Sequence, residues 1–455
     1  MSPSLTEQLA GFVTALRYGD LPPSVQERAR ALLLHGLAVG LVCHPLDPSR
    51  IARRVVAEAE PLAAGPRILV DGTRVTVGGA IFANAAMLQA RNNEDTYHMV
   101  THPGCVVIPV ALAVGEATRA SGHDVLSAVV AGYEVAARLA DHAFPHSNRA
   151  GFRATGIYTA LGAAAAAGRL LGLDRAQMAH ALGIAASGAA GLLQGLGEGR
   201  LDWKFQAGQT GRAGYLAATL AAGGATGAHL ALEGPAGFYR AFCRLDAPPD
   251  LVADLGRRWE FTHVISKPFP VATINQTPVR AILRLQREHA LRPDDIERIV
   301  VTMAEVEIGY PGTQWRGPFE PGVQPPASIP YAIATALVHG HAGWSAQCAT
   351  DHPLTLGLLE RIEVRGAADR PLMTCALAVT TRDGRALAAE ANEGEAYYFF
   401  DWERAAAAVR ELQVETPLDL ERLVAAVGRL EQAPTVDDVV EACLAPVGSD
   451  RPPSR

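Results

Sequence analysis

The chain is expected to be mainly α with an α+β insert: a large all-helical domain formed by both chain ends, and a smaller module of strands and helices between them. Three observations carry this reading. Helical apolar spacing runs almost unbroken to about residue 245, and a proline-marked junction, "DAPPDLVADLGRRWEF", follows. Strand-like runs then appear among helices, and helical spacing returns after about residue 400. The expected boundaries are 1–262, 263–396 and 397–455.

Taken in order, "LTEQLAGFVTALR" has a helical period, and "LPPSVQERARALLLHGLAVGLVCH" opens on prolines suited to a first helical turn. "RILVDGTRVTV" reads as a hairpin turning at Asp71-Gly72. Helices are expected at 78–91, 105–120, 122–143, 153–172, 174–194 and 208–223, several with Ala and Gly on every side, which lets helices approach closely. In the insert, "IERIVVTMAEVEI" and "RIEVRG" are strand-like and 327–340 is helical, while "MTCALAVTTRDGRALAAEA" makes a hairpin at Asp383-Gly384. Three helical runs close the chain, "DWERAAAAVRELQ", "LDLERLVAAVGRL" and "TVDDVVEACL", and a final "GSDRPPSR" reads as disordered.

Composition excludes several classes of function. A net charge of −7 with no basic run gives no nucleic-acid footprint. Six cysteines without CxxC spacing fit reduced, buried thiols in the cytoplasm, and the first residues lack the charge-then-apolar pattern of a signal peptide. "GIYTALGAAAAAGRLLGL", broken by Arg169, reads as a buried helix and not a membrane span. No GxGxxG follows a strand, and neither a P-loop nor a GxSxG elbow occurs. The pairs His98/His102 and His142/His146 have i, i+4 spacing, but Pro103-Gly104 and Pro145 interrupt the helical frame that shared metal ligation needs. No metal and no organic cofactor is therefore expected.

One compositional fact is unusual. Of 40 basic residues only Lys204 and Lys267 are lysines. Arginine serves as well on a surface but stays protonated, whereas a buried lysine can lose its proton near neutral pH. The surroundings of both lysines are polar. "ARNNEDTYHMVTHPG" (90–104) leads into the apolar helix "CVVIPVALAVGEA", whose N-terminus suits an anion. Capping explains Asp95 or Thr96 but not Asn92, Asn93, Glu94, His98 and His102 together. "SNRAGFRATG" places Arg149 and Arg153 before another helix, where a guanidinium can clamp a carboxylate. "ISKPFPVATINQTPV" sets Lys267 at the start of the insert, beside a domain boundary where clefts form.

The segments "NNEDTYHMVTHPG", "RAGFRATGIYTALGAAAAAGRLLGL", "WKFQAGQTGRAGYLAA", "ISKPFPVATINQTPV" and "PPASIPYAIATALVHG" resemble, in order and spacing, those of the MmgE/PrpD family. The resemblance covers nearly the whole chain. It implies a cofactor-free, usually homodimeric enzyme with a helical domain and an inserted lid. Its substrates would be small di- or tricarboxylates, attacked next to a carboxylate. The family's Asp-x-x-Asp-Thr element falls on 92–96, so Asp95 and Thr96 match while Asn92 stands where aspartate is usual. His102-Pro103 matches, Arg153 stands for a histidine, and the family lysine falls on Lys204 or, strictly aligned, on Trp203. Lys267-Pro268 matches well, and Ala272 stands where the family's decarboxylases have a histidine. "NQT" at 275–277, with Gln276, sits where its methylcitrate dehydratases have "HSQT", and Tyr331 matches the tyrosine after the serine-proline turn.

The resemblance thus implies Lys267, His102, Lys204 and Tyr331 as catalytic residues, with Asn92, Asp95, Thr96, Arg153 and Gln276 binding substrate. The expected reaction is that of a lyase or hydro-lyase working by proton abstraction α to a carboxylate. A dicarboxylate epimerase and a non-catalytic carboxylate binder are the alternatives. Lys267 is expected to move the proton and Lys204 to act mainly through its charge.

Overall fold

The computed structural model describes residues 3–322 and 324–445; the 448–455 segment expected to be disordered lies outside them. The first part of the chain folds into helices α1 (Leu5–Ala15), α2 (Pro23–Val42), α3 (Asp47–Ala59), α4 (Val77–Leu88), α5 (Gly104–Thr118), α6 (Gly122–Ala140), α7 (Ala154–Leu170), α8 (Arg175–Ser187) and α9 (Asp202–Ala222). Local chemistry sets several starts. Ser4/Glu7 and Asp174/Gln177 form capping boxes on α1 and α8, Ser121 caps α6, and Pro23 occupies the first position of α2.

Small residues decide how the helices cross. A Cβ on Gly132 of α6 would come within 2.8 Å of the Gly162 carbonyl of α7, and one on Gly162 within 2.5 Å of the Gly132 carbonyl. Gly214 of α9 meets α7 in the same way, at Ala160, Ala163 and Ala164. The Ala/Gly-rich composition therefore encodes backbone-to-backbone contact in a buried bundle. No single helix among the described residues is long and apolar enough to cross a membrane.

Past residue 270 a second buried core forms, drawn from residues 271–391. It holds α10 (Thr273–His289), α11 (Ile329–His339) and a four-stranded sheet: β1 (Ile296–Ala304), β2 (Ile362–Ala367), β3 (Cys375–Thr381) and β4 (Ala386–Ala391). The strand order is β2-β1-β3-β4. β1 and β2 are parallel, with Val301 opposite Val364, and the other two pairings are antiparallel. The last helices, α12 (Trp402–Leu412), α13 (Leu420–Gly428) and α14 (Asp437–Ala442), bury Ala405, Val409, Leu423, Val427 and Val440 in the core of the first helices.

Several expected boundaries move. The 67–77 hairpin keeps its turn but has only isolated pairings, Arg67 with Arg74 and Pro61 with Val75. Proline at 61 and 66 removes donors, and Val70 turns away to pair with Leu444 near the chain end. The helix expected to end at 194 stops at Ser187, before Gly188 and a Gly191 at φ +138°. The helix expected to begin at 208 begins at Asp202, so Lys204 lies in its first turn and not ahead of it.

The crossing of α7 and α9 gives a direct stability test. At Gly214 a methyl group would lie 2.4 Å from the Ala163 Cβ. Gly214→Ala is expected to cost on the order of 1–3 kcal/mol and to lower the thermal midpoint by several degrees. Gly357→Ala, exposed in a helix with nothing within 4 Å, is the control and should leave the midpoint unchanged or slightly raised.

Candidate active site

The polar segments singled out in the sequence all lie at helix starts. Residues 92–103 precede α5, Arg153 is the N-cap of α7, Lys204 sits in the first turn of α9, and residues 265–272 precede α10. The α7, α9 and α10 starts have no side-chain cap, so free N–H groups and the positive ends of their dipoles remain available to an anion. Backbone pairing holds the segment from the second core against the first: Thr96 N–H donates to the Ile265 carbonyl at 3.0 Å, and Ile265 N–H donates to the Thr96 carbonyl at 2.7 Å.

The turn before α5 is tightly built. Asp95 accepts from the Gly104 N–H at 2.9 Å and from the Tyr133 hydroxyl at 2.5 Å, which occupies both carboxylate oxygens. Asp95 therefore shapes the turn, where the resemblance implied substrate contact. Burial raises its pKa to about 6 against those two hydrogen bonds. His98 and Met99 have positive φ, so His98 swings out to Asp141 at 3.2 Å while His102 points inward, and the pair shares no helix face.

His102 Nδ1 lies 2.9 Å from the Asp95 carbonyl and 3.0 Å from Thr96 Oγ1. A carbonyl only accepts, so Nδ1 carries the proton and Nε2 keeps its lone pair. Burial pulls the His102 pKa down to about 3, which keeps the ring neutral. Thr96 thus orients the histidine, and its hydroxyl also accepts from Thr273 of α10 at 3.3 Å.

Glu94 stands beside Nε2, and Lys267, Lys204 and Arg153 each interact with the Glu94 charge. Glu94 is 3% exposed; its Oε1 lies 3.9 Å from His102 Nε2 and its Oε2 3.9 Å from Lys267 Nζ. Oε2 has no hydrogen-bond partner. Burial pushes the Glu94 pKa up, but Lys267 and its neighbours overcome this, and the net direction is downward. Lys204 donates to Asn92 Oδ1 at 3.3 Å and lies 3.8 Å from the centre of the Trp203 ring. Arg153 donates through Nη1 to Gln89 Oε1 at 3.1 Å and to the Trp203 carbonyl at 3.2 Å, and forms no ion pair among the described residues.

The electrostatics favour the opposite roles for the lysines from those expected. Burial lowers both, but Lys267 has the Glu94 carboxylate beside it, which favours its charged form. Burial dominates at Lys204: Glu94 supports its charged form too, but the lysine's contacts are an amide oxygen and an indole at a helix start that disfavours a cation, and its pKa falls to about 7.

Two implied residues are drawn elsewhere. The Tyr331 hydroxyl reaches the Gln347 carbonyl at 3.5 Å and its ring packs on Phe319, inside the second core. Gln276 spends both ends of its amide on the backbone of Phe269 and Val271, so it shapes the loop after Lys267. Glu94 stands in the sequence among the polar residues that capping leaves unexplained but was given no role, and Gln89 and Tyr310 were not selected. Burial raises the Tyr310 pKa and the Arg153 guanidinium pulls it back, which places the phenol near that cation. A carboxylate beside two candidate residues was the available sign for Glu94. No local pattern marks Gln89 or Tyr310. Two open depressions, of about 550 and 580 Å³, are lined by none of these residues. No metal-binding group of three or more His, Cys, Asp or Glu occurs among the described residues.

Fold and site together define a helical bundle with a mixed-sheet insert and a buried cluster of cations at helix starts. The MmgE/PrpD N-terminal domain matches residues 7–249, and the MmgE/PrpD C-terminal domain matches 269–396. The chain belongs to the MmgE/PrpD family. Among its relatives is the human cis-aconitate decarboxylase, 27% identical over 416 residues, covering 84% of this chain and 82% of that protein. The cis-aconitate decarboxylase of Aspergillus terreus is 30% identical over 300 residues, 63% of this chain and 61% of that protein. A cis-aconitate decarboxylase-like protein of Aspergillus oryzae is 27% identical over 334 residues, 68% of each.

Because the chain has only two lysines, their side chains can be followed individually by lysine-labelled NMR. Lys204 is expected to titrate at about 7, with Lys267→Arg removing one resonance to assign the other. A Lys204 resonance that stays protonated up to the ordinary lysine range, at about 10, would return the proton-transfer role to Lys267.

Proposed function

We propose that the protein is a lyase acting on a small carboxylate, by proton transfer at the carbon next to a carboxylate group. The observation that carries this reading is a buried arginine without an ionic partner among the described residues, beside two buried lysines. The relatives' activity on cis-aconitate, a carboxylate, supports the same class.

In this reading Arg153 and the uncapped helix starts hold substrate carboxylate. Neutral Lys204 removes the α-proton, and Arg153 and Lys267 stabilise the charge that develops on the carboxylate. For elimination of water, the Lys267 ammonium gives its proton to the departing hydroxyl. For decarboxylation no α-proton is removed: the C–CO₂ bond breaks as CO₂ leaves, and the electron pair left on carbon takes one proton from the Lys267 ammonium. His102, neutral with its Nε2 lone pair directed inward, accepts a hydrogen bond from substrate or from Lys267. We further propose that the two cores correspond to two domains, 1–262 with 397–455 and 263–396. The active form is a homodimer, as the family resemblance implies, and light scattering reads this directly.

Incubation of candidate carboxylates in D₂O tests the reaction. Loss of water with deuterium exchanged into the recovered substrate, or loss of CO₂ with solvent deuterium in the product, is expected. Exchange with inversion alone would make the protein an epimerase, and binding without exchange a carboxylate binder.

The pH dependence follows from Lys204. A base must be deprotonated to act, so kcat/KM should rise with pH through about 7 and then level off. Lys204→Arg keeps the charge but not the titration. It should lower kcat by about 10²-fold or more and remove that limb. A near-normal Lys204→Arg enzyme with the limb intact would exclude Lys204 as the base.

Arg153 has a different signature. Arg153→Lys should mainly raise KM, and Arg153→Ala should raise it more, by about 10- to 100-fold for a lost charged hydrogen bond. A loss confined to kcat in both variants would count against a binding role.

A further inference from the structure

The buried charges of the site do not balance. Lys204, Lys267 and Arg153 face it, 4%, 1% and 4% exposed, and Glu94 is the carboxylate set among them. The neighbouring charges are already matched. Arg91 pairs with Glu415 at 2.5 Å, and Asp95, capped by Gly104 and Tyr133, interacts electrostatically with both Lys267 and Arg28. Asp95 and Arg28, an anion and a cation, leave the count unchanged when both are added. His102 is neutral. Three cations thus stand against one carboxylate, an excess of two when Lys204 is protonated and of one when it is not.

Glu94 is an unusual counter-ion. It stands 3.9 Å from both the Lys267 ammonium and His102 Nε2, beyond hydrogen-bond length, and its Oε2 is buried without a partner. It therefore leaves the donors of Lys267 free for another acceptor while subtracting one positive charge from the site. An uncompensated charge is costly away from water, so the number of carboxylates a ligand brings is constrained by this count. Two substrate carboxylates meet the excess when Lys204 is protonated, and one meets it when Lys204 is neutral. In either protonation state of Lys204, a third has no cation left to meet it and faces the Glu94 oxygen.

We infer that Glu94 is a specificity-determining residue that makes the site select dicarboxylate over tricarboxylate anions. The inference rests on the proposed reading of the cluster as a carboxylate site. It separates this chain from relatives named for a tricarboxylate.

The test uses a size-matched pair: propane-1,2,3-tricarboxylate and its monoamide, in which one carboxylate becomes a carboxamide. Binding is measured by isothermal titration calorimetry at constant ionic strength on the full-length protein. The wild-type protein is expected to bind the monoamide at least tenfold more tightly than the tricarboxylate. Glu94→Gln removes the negative charge at nearly constant shape, and should reverse that ratio by raising tricarboxylate affinity at least tenfold. Glu94→Asp keeps the charge and should retain the wild-type preference.

Wild-type preference for the tricarboxylate, or a ratio that Glu94→Gln leaves unchanged, overturns the inference. Should Glu94→Gln fail to fold, as read by circular dichroism, the wild-type ratio and Glu94→Asp still decide it. Arg153→Ala separates this from the underlying reading. If it abolishes binding of both ligands while the ratio ignores Glu94, the carboxylate site stands and only the role of Glu94 falls. If both ligands bind Arg153→Ala normally, the site itself has been misplaced.

Discussion

Holding lysine and arginine side chains out of water costs free energy that a single carboxylate at 3.9 Å does not return. The rest of the scaffold can be understood from that constraint. The cations must be supported by rigid elements, screened from solvent, and left with donors unspent. Backbone-to-backbone packing of α6, α7 and α9 through Gly132, Gly162 and Gly214 supplies the rigidity. A looser bundle would admit water, and the lysines would relax to ordinary surface behaviour with pKa values near 10.

The second requirement is orientation, and backbone groups provide most of it. Asp95 looks at first like a catalytic carboxylate, yet both its oxygens are committed to Gly104 and Tyr133. Its carbonyl then fixes the His102 tautomer. One residue thereby sets the helix start, the turn and the direction of an imidazole lone pair. Gln276 does comparable work for the loop after Lys267. Such residues sit beside the chemistry without facing it, which is why a motif match alone assigns them to substrate.

Within the family pattern, this chain exchanges titratable groups for fixed ones. Asn92 stands where aspartate is usual, and its amide oxygen accepts from Lys204 without supplying the charge that would keep that lysine protonated. Arg153 stands where histidine is usual and brings a cation that cannot deprotonate in the working range. With these exchanges burial brings the Lys204 pKa down to about 7, while Glu94 supports the charged form of both lysines and lies 3.9 Å from Lys267.

Much was legible in the sequence by itself. Helical period, proline and glycine punctuation and strand alternation are local, and they indicated most element types, a region of strands among helices and the return of helices after residue 400. The helix at Asp47–Ala59 was not expected, and the strand-like run from 296 turns helical at Glu305–Ile308. The scarcity of lysine, with the polar runs at helix starts, pointed to 92–102, Arg153, Lys204 and Lys267, and the structure gathers these residues. The pairing of Val70 with Leu444, the Gln89–Arg153 contact and the retreat of Tyr331 into the second core were decided only by the tertiary structure. So was the contrast between the two lysines. A side chain's protonation depends on which charges lie within a few ångströms and how much water is excluded, and Glu94 reaches Lys267 across 173 residues of chain. Spacing along a sequence carries helix and strand; it does not carry the local dielectric or the distance between a carboxylate and an ammonium from distant segments.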